Sequence, residues 1–252
     1  MKPLADYIRK NKNKFPVSVI WGSGPSINSL SPGAHAPYLN FAVNASIMLF
    51  PFWKMGNSSN RVFMAIDKSA FEWTWFHDGM KHRCCRMFRR YAFDRVKTKR
   101  PYFPQNIYKY PETWYFDMRN EDEPVADLSR LSTVPHASVI PMAMDVSMKL
   151  GVKLIALAGV EHSPKDGMTH FWEEWHSYKR PVRTSSDGKS RKPKDISNQR
   201  RVWSTNTSVF KKLYEASRKY GVEIVRLTEK STLDFIPYMT EADFLKKAKK
   251  VI

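Results

Sequence analysis

The sequence predicts an α/β fold: a mostly parallel central sheet with helices on both faces. Three observations carry this reading. Short apolar runs alternate with segments of helical periodicity, as strand–helix units require. Glycines stand where two of those helices should stop, at Gly151 and Gly221. Polar groups gather just after the apolar runs, where open parallel sheets bind their ligands.

The elements follow in order. Val17–Trp21 reads as a buried strand that runs directly into Gly22-Ser23-Gly24-Pro25-Ser26. Glycine allows close approach of the backbone to a neighbouring group. Pro25 suits the first turn of a helix, because its missing amide would have had no partner there. Ser26 offers a hydroxyl at the same point. A helix start after a strand favours anions, so the turn is expected to hold the phosphates of a nucleotide. The spelling is neither the Walker pattern nor a full G-x-G-x-x-G. A short helix or turn follows near 26–31. Leu39–Asn44 and Val62–Asp67 read as the second and third strands. Ala70–His82 is expected to be helical, and 101–133 irregular, broken by prolines. His136–Leu150 carries Val139, Ala143, Val146 and Leu150 on one stripe, which predicts a helix. Lys153–Glu161 is the strongest buried strand. The stretch 164–201 is polar and basic and reads as a mobile lid within one nucleotide-binding domain spanning 1–252. Thr207–Tyr220 predicts an amphipathic helix and Val222–Leu227 a strand. Thr240 with Asp243 marks the start of the last helix.

At 252 residues and 42% hydrophobic, the chain can bury one substantial core. No apolar run approaches a membrane span, and 1–14 lacks the apolar stretch of a secretory signal. The only cysteines, Cys84 and Cys85, are adjacent and form no disulfide framework. A reducing, cytoplasmic setting is expected. The net charge of +18 is concentrated in 81–100, 179–201 and 246–250. Such clusters attract polyanions, so an anionic acceptor, DNA included, is a candidate partner. No recognition helix, zinc finger or single-strand-binding signature accompanies the charge. Oligomeric state is not legible.

The strand ends carry Gly22-Ser23-Gly24, Asn44-Ala45-Ser46, Asp67-Lys68-Ser69, Glu161-His162-Ser163 and Thr228-Glu229-Lys230. If these strands share one sheet, their polar groups converge on one crevice. Each residue also has an ordinary structural use: Asn44 as a turn former, Asp67 as a helix cap.

These blocks bear a resemblance. GSGPS, the Asn-ending strand, HASVIPMAMDVSMKLGVKLIALAGVEHS and WSTNTSVFKKLYEASRKYGVEIVRLTEKSTLDFIPY together resemble the bacterial lipooligosaccharide sialyltransferases. They also resemble the wider Rossmann-like group similar to 6-hydroxymethylpterin diphosphokinase, found in surface-glycan clusters. In that group the central strand ends in Gly-[Ile/Val]-Asp-His-Ser and a His-Phe pair follows; here Gly159-Val160-Glu161-His162-Ser163 and His170-Phe171 match, with Glu for Asp. The resemblance implies a nucleotide-dependent transferase. It places Gly22, Ser23, Gly24, Pro25, Ser26 and Asn44 around a nucleotide, with Ser138 on phosphate or ribose and Asp67 and Ser163 nearby. The departures are specific. Trp203 stands where the sialyltransferases carry a histidine base, and His162 and Ser163 replace their phosphate-holding tyrosines, so sialic acid is not the expected donor.

The remaining base candidates are His162, His170 and Glu161. Lys68, Lys165 and Arg183 are candidates to stabilise a departing phosphate or to contact the acceptor. No standard metal motif is present, and whether a divalent ion is needed stays open. Three functions compete: a glycosyltransferase using a nucleotide sugar, on a surface glycan or modified phage DNA; a diphosphokinase-like enzyme using ATP and magnesium; and a nucleic-acid-binding protein on a degenerate transferase fold.

Overall fold

The computed structural model describes residues 2–52, 58–66, 70, 73–90, 110–119, 127–135, 138–161, 168–174, 181–182 and 196–252, with backbone alone at 58 and 196–205. The described strands are β1 (Lys2–Pro3), β2 (Val17–Trp21), β3 (Leu39–Val43), β4 (Arg61–Ala65), β5 (Cys85–Arg89), β6 (Thr113–Met118), β7 (Thr133–Val134), β8 (Leu154–Ala158) and β9 (Glu223–Arg226). They form one sheet in the order β1-β6-β5-β4-β3-β2-β8-β9, with β7 beside β6. Every pairing among them is parallel.

The apolar runs occupy the centre because they must be covered on both faces. All five residues of β2, β3 and β8 are buried, which no one-sided sheet would demand. One face packs α1 (Leu4–Asn11), α3 (Val139–Lys149) and α4 (Ile196–Lys219), with Met142, Val146, Phe210 and Leu213 against Ile20 and Phe41. The other packs α2 (Thr74–Lys81), the 3-10 segment Asn44–Phe52 and α5 (Glu241–Val251), with Phe76, Phe50 and Phe244 against Trp21 and Phe63. The chain runs outward from β2 through β3, β4, β5 and β6, then crosses back to β8 and β9. The order therefore reverses between β2 and β8, and a crevice opens at such a switch beyond the carboxyl ends.

Several boundaries differ from the sequence expectation. Residues 101–133 are not wholly irregular, since β6 and β7 lie there, and β5 was hidden inside the basic cluster 81–100. The reason is Arg86, which is buried in β5. Its guanidinium donates to the carbonyls of Met80, His82, Cys84 and Pro111, closing the C-terminal end of α2. A cation there also meets the negative end of the helix dipole. The lysine-rich start of the chain forms α1, whose Leu4, Tyr7, Ile8 and Asn11 face inward. α4 begins eleven residues before the expected Thr207, so 196–201, the end of the expected lid segment, is helical. The rest of the expected lid lies outside the described residues except 168–174 and 181–182. Thr240 caps α5 as expected, its hydroxyl accepting from the Asp243 amide at 3.2 Å.

Three buried charges tie α3 to the β6–β7 edge. Asp145 accepts from Lys149 at 2.6 Å and from Arg119 at 3.2 Å. Burial pushes the Asp145 carboxyl up and the Lys149 ammonium down, each opposed by its partners. Across the sheet, buried His35 meets Glu241 of α5 at 2.7 Å and stacks on Phe244. Both cysteines are buried and neither is in a disulfide, and burial raises their thiols to about 11 at Cys84 and about 12 at Cys85.

Candidate functional site: the crevice at the β2–β8 switch

The glycine turn sits at the switch point, as its position after β2 demands. Its amides, however, are already engaged by the protein. Gly22 donates to the Ala158 carbonyl at 2.7 Å and Gly24 to the Gly159 carbonyl at 2.9 Å. The Ser26 amide donates to Glu161 Oε1 at 2.6 Å. Pro25–Ser29 is a single 3-10 turn of five residues, not an α-helix. Three of the amides expected to cradle phosphate just past Trp21 are thus bonded to the protein's own carbonyls and a carboxylate.

The same contacts explain the glycines. A Cβ on Gly22 would lie 2.3 Å from the Gly159 carbonyl oxygen. One on Gly24 would lie 1.4 Å from Glu161 Oε2. These positions let the ends of β2 and β8 touch. Ser26 adds a hydroxyl contact to Thr228 at 3.0 Å, which joins the end of β9 to the turn.

What the crevice leaves open is a set of acceptors. Glu161 is 3% exposed, and its Oε2 is enclosed without a hydrogen-bond partner. Asn44 takes a left-handed conformation (φ 53°) directly after β3, and its Oδ1 is likewise enclosed and unpartnered. A buried acceptor without a donor is costly, and such orphans mark places where a ligand or water completes the bonding. Ser46 fixes this corner, its hydroxyl reaching the Trp21 carbonyl at 2.6 Å and the Val43 carbonyl at 2.8 Å. On the other side, Gly22 faces Ile140 in the first turn of α3. Ser138 caps that helix with no side-chain capping bond, while its amide donates to Asn206 Oδ1 at 2.8 Å. The start of α3, with the Ser138 hydroxyl uncommitted to the cap, thus adjoins the glycine turn.

A second layer docks on the turn. The Phe171 amide donates to the Ser23 carbonyl at 2.9 Å, and Asn28 Nδ2 donates to the Phe171 carbonyl at 2.9 Å and to Glu174 Oε2 at 2.5 Å. Phe171 is fully buried. This places His170 at the rim. Its Nδ1 lies 3.0 Å from Glu173 Oε1 and 2.7 Å from the Thr169 hydroxyl, which itself donates to Glu173 at 2.7 Å. The ring lies against Trp172, tilted by 32°, with centroids 4.0 Å apart. Burial alone would raise the Glu173 carboxyl, but the hydrogen bonds from His170 and Thr169 outweigh it and hold it at about 2. Glu173 is ionised at neutral pH and holds the imidazole through its Nδ1 side.

Of the expected site residues, Gly22, Ser23, Gly24, Pro25, Ser26, Asn44, Ser138, Glu161 and His170 fall around this switch point. Asp67, Lys68, His162, Ser163, Lys165 and Arg183 lie outside the described residues, as does the side chain of Trp203. Among the described residues, no group of three His, Cys, Asp or Glu side chains is arranged to hold a metal ion. Sequence reasoning missed Glu173, which three residues after His170 reads as one more surface carboxylate. It also missed Asn28 and Asn206, which carry no local signature.

No protein-family model and no curated protein matches the chain. Solved structures do. The fold is similar to the sialyltransferase CstII from Campylobacter jejuni in complex with a substrate analogue, cytidine-5'-monophosphate. That match has 12% identity and a TM-score of 0.47, and covers 88% of this chain and 84% of that one. It is also similar to the monofunctional alpha-2,3-sialyltransferase Cst-I from Campylobacter jejuni, at 12% identity and a TM-score of 0.41, covering 96% of this chain and 97% of that one. At this identity and these scores, nothing about ligand or reaction passes from those proteins to this chain.

Proposed function

We propose that the chain is a glycosyltransferase that uses a nucleotide sugar, with His170 as the general base. One observation carries the reading: a histidine paired with an ionised glutamate, next in the chain to Phe171, whose amide docks on the glycine turn at the sheet's switch point. The resemblance of the GSGPS and GVEHS blocks to nucleotide-dependent transferases supports it.

The nucleoside lies against Asn44 and Glu161. Both offer enclosed acceptors, so they suit ribose hydroxyls or a base amine, not phosphate oxygens. The phosphates face the start of α3, where Ser138 and the first-turn amides favour negative charge. At His170, Nδ1–H points to Glu173 and Thr169, which leaves the Nε2 lone pair for the acceptor hydroxyl. As Nε2 takes the proton, the acceptor oxygen bonds to the anomeric carbon. The bond from that carbon to the donor phosphate breaks, and the nucleotide leaves with the electron pair. Lys68, Lys165 and Arg183 are proposed to meet its charge, and His162 and Ser163 to flank it. The acceptor is proposed to be anionic, a surface glycan or DNA, in line with the net charge of +18.

The test is nucleotide release from a panel of nucleotide sugars, with and without magnesium. Turnover in the wild type that falls by about 10²–10⁴-fold in His170→Ala, with nucleotide affinity retained, is expected for loss of a general base. Full turnover in His170→Ala would remove the assignment. Stabilisation by ATP only with magnesium would point instead to the diphosphokinase-like alternative.

A further inference from the structure

A cavity of about 470 Å³ lies at the opposite edge of the sheet, beneath the amino ends of β5 and β6. It is lined by Tyr7, Lys10 and Asn11 of α1, by Lys14 and Phe15 before β2, and by Glu112 before β6. The crevice opens beyond the carboxyl ends of the strands, so the two are separated by the length of the sheet. The volume is in the range of sites that take small molecules.

The lining has a definite chemistry. Tyr7 is 1% exposed, and its hydroxyl is enclosed in hydrogen-bond contact with the Cys85 thiol. The Cys85 thiol lies beside it, held protonated by burial. Asn11 Nδ2 is committed to the Tyr7 carbonyl at 2.9 Å, which fixes the amide and leaves its oxygen for another donor. Lys10 and Lys14 are exposed, and neither forms an ion pair among the described residues. Glu112 holds its place in a left-handed conformation (φ 60°), a posture that costs energy in a residue with a side chain. Two ammonium groups suit a phosphoryl dianion, and a carboxylate with an amide oxygen suits hydroxyl donors. Phe15 supplies a partly buried apolar wall.

We propose that this cavity is a second ligand site, for a small phosphorylated polyol of sugar-phosphate type. The phosphate sits between Lys10 and Lys14. The hydroxyls donate to Glu112 and the Asn11 oxygen, and Tyr7 donates its phenolic proton to the ligand. The site is independent of the reading given above for the crevice.

The experiment is calorimetric titration of the full chain with ribose 5-phosphate, and separately with inorganic phosphate. Saturable binding of ribose 5-phosphate is expected. It should weaken by roughly tenfold or more in Lys10→Ala/Lys14→Ala, whose exposed positions leave the fold intact, as loss of charge-assisted bonds predicts. Tyr7→Phe should weaken it severalfold with unchanged circular dichroism. Inorganic phosphate should bind more weakly than ribose 5-phosphate, because it lacks the hydroxyls. Binding unaffected by the double lysine variant would place the ligand elsewhere and overturn the proposal, as would no binding at all. Equal affinity for inorganic phosphate would overturn the polyol specificity.

Discussion

Glu161 is the residue on which the crevice turns. Its carboxylate occupies the space that Gly24 leaves by having no side chain, and it takes the Ser26 amide that a phosphate was expected to take. Gly24→Ala puts a methyl group into the carboxylate. We expect it to destabilise the fold by about 1–3 kcal/mol, the usual cost of overpacking, read by urea unfolding. Shortening Glu161 to Ala in the same chain removes the clash, so the double variant should recover part of that loss. Strictly additive losses would mean that the two do not meet. Glu173 makes a pH prediction. Its folded carboxyl is depressed to about 2 from an ordinary 4.5. A depressed carboxylate stabilises fully above its unfolded value and loses that contribution as pH falls through the folded one. Glu173→Gln should therefore lower stability at pH 7 relative to wild type, and the difference should vanish as pH approaches 2. The effect is small, since the group is only partly buried. A stability gap that widens toward acid would have the wrong sign. The sequence showed His170 but not its partner, because a carboxylate three residues away on a polar loop looks like any surface charge until the backbone turn brings it round.

At the scale of elements, α3 is held by packing on one side and by ions on the other. Its apolar stripe was legible from spacing alone. Asp145 and Lys149 were not, because two charges four residues apart normally mark a solvated face. Here both are buried with Arg119. Asp145→Asn leaves two buried cations without a counter-charge, and we expect a loss of about 3–5 kcal/mol, checked by chemical denaturation. A change under 1 kcal/mol would mean that water reaches the cluster. β5 teaches the same lesson. Cys-Arg-Met-Phe-Arg does not alternate cleanly, since Arg86 is turned inward to close α2. Sequence periodicity reads packing well, but a buried cation that serves a neighbouring helix breaks the pattern. β2, β3 and β8 were legible because their runs are mainly apolar, with Ser18 and Asn40 buried and hydrogen-bonded inside them. Glycine at 22 and 24 was legible too, but its cause was misread: strand-to-strand contact uses glycine for the same reason that phosphate does.

For the whole molecule, the parallel order and its reversal between β2 and β8 bring the described strand ends at Gly22–Ser26, Glu161 and Thr228 together. The charge clusters told less. Much of 81–100 and 179–201 lies outside the described residues, and Arg86 within the first is structural. A ligand of the crevice should stabilise the whole fold, because it binds the native state alone. At a nucleotide concentration about a hundred times its dissociation constant the gain is about 2.7 kcal/mol, and for a chain of this size Tm should rise by about 5–10 °C. Asn44→Ala and Glu161→Ala should diminish that rise. An undiminished rise in both variants would move the nucleoside away from these acceptors.

Cys84 and Cys85 are buried at the amino end of β5, where burial favours the protonated form of both thiols. With the thiols held in this form, a thiol reagent reacts slowly with the intact protein and faster when the amino end of β5 opens. The pace of labelling therefore reports the opening of that end of the sheet, and no foreign reporter has to be built in.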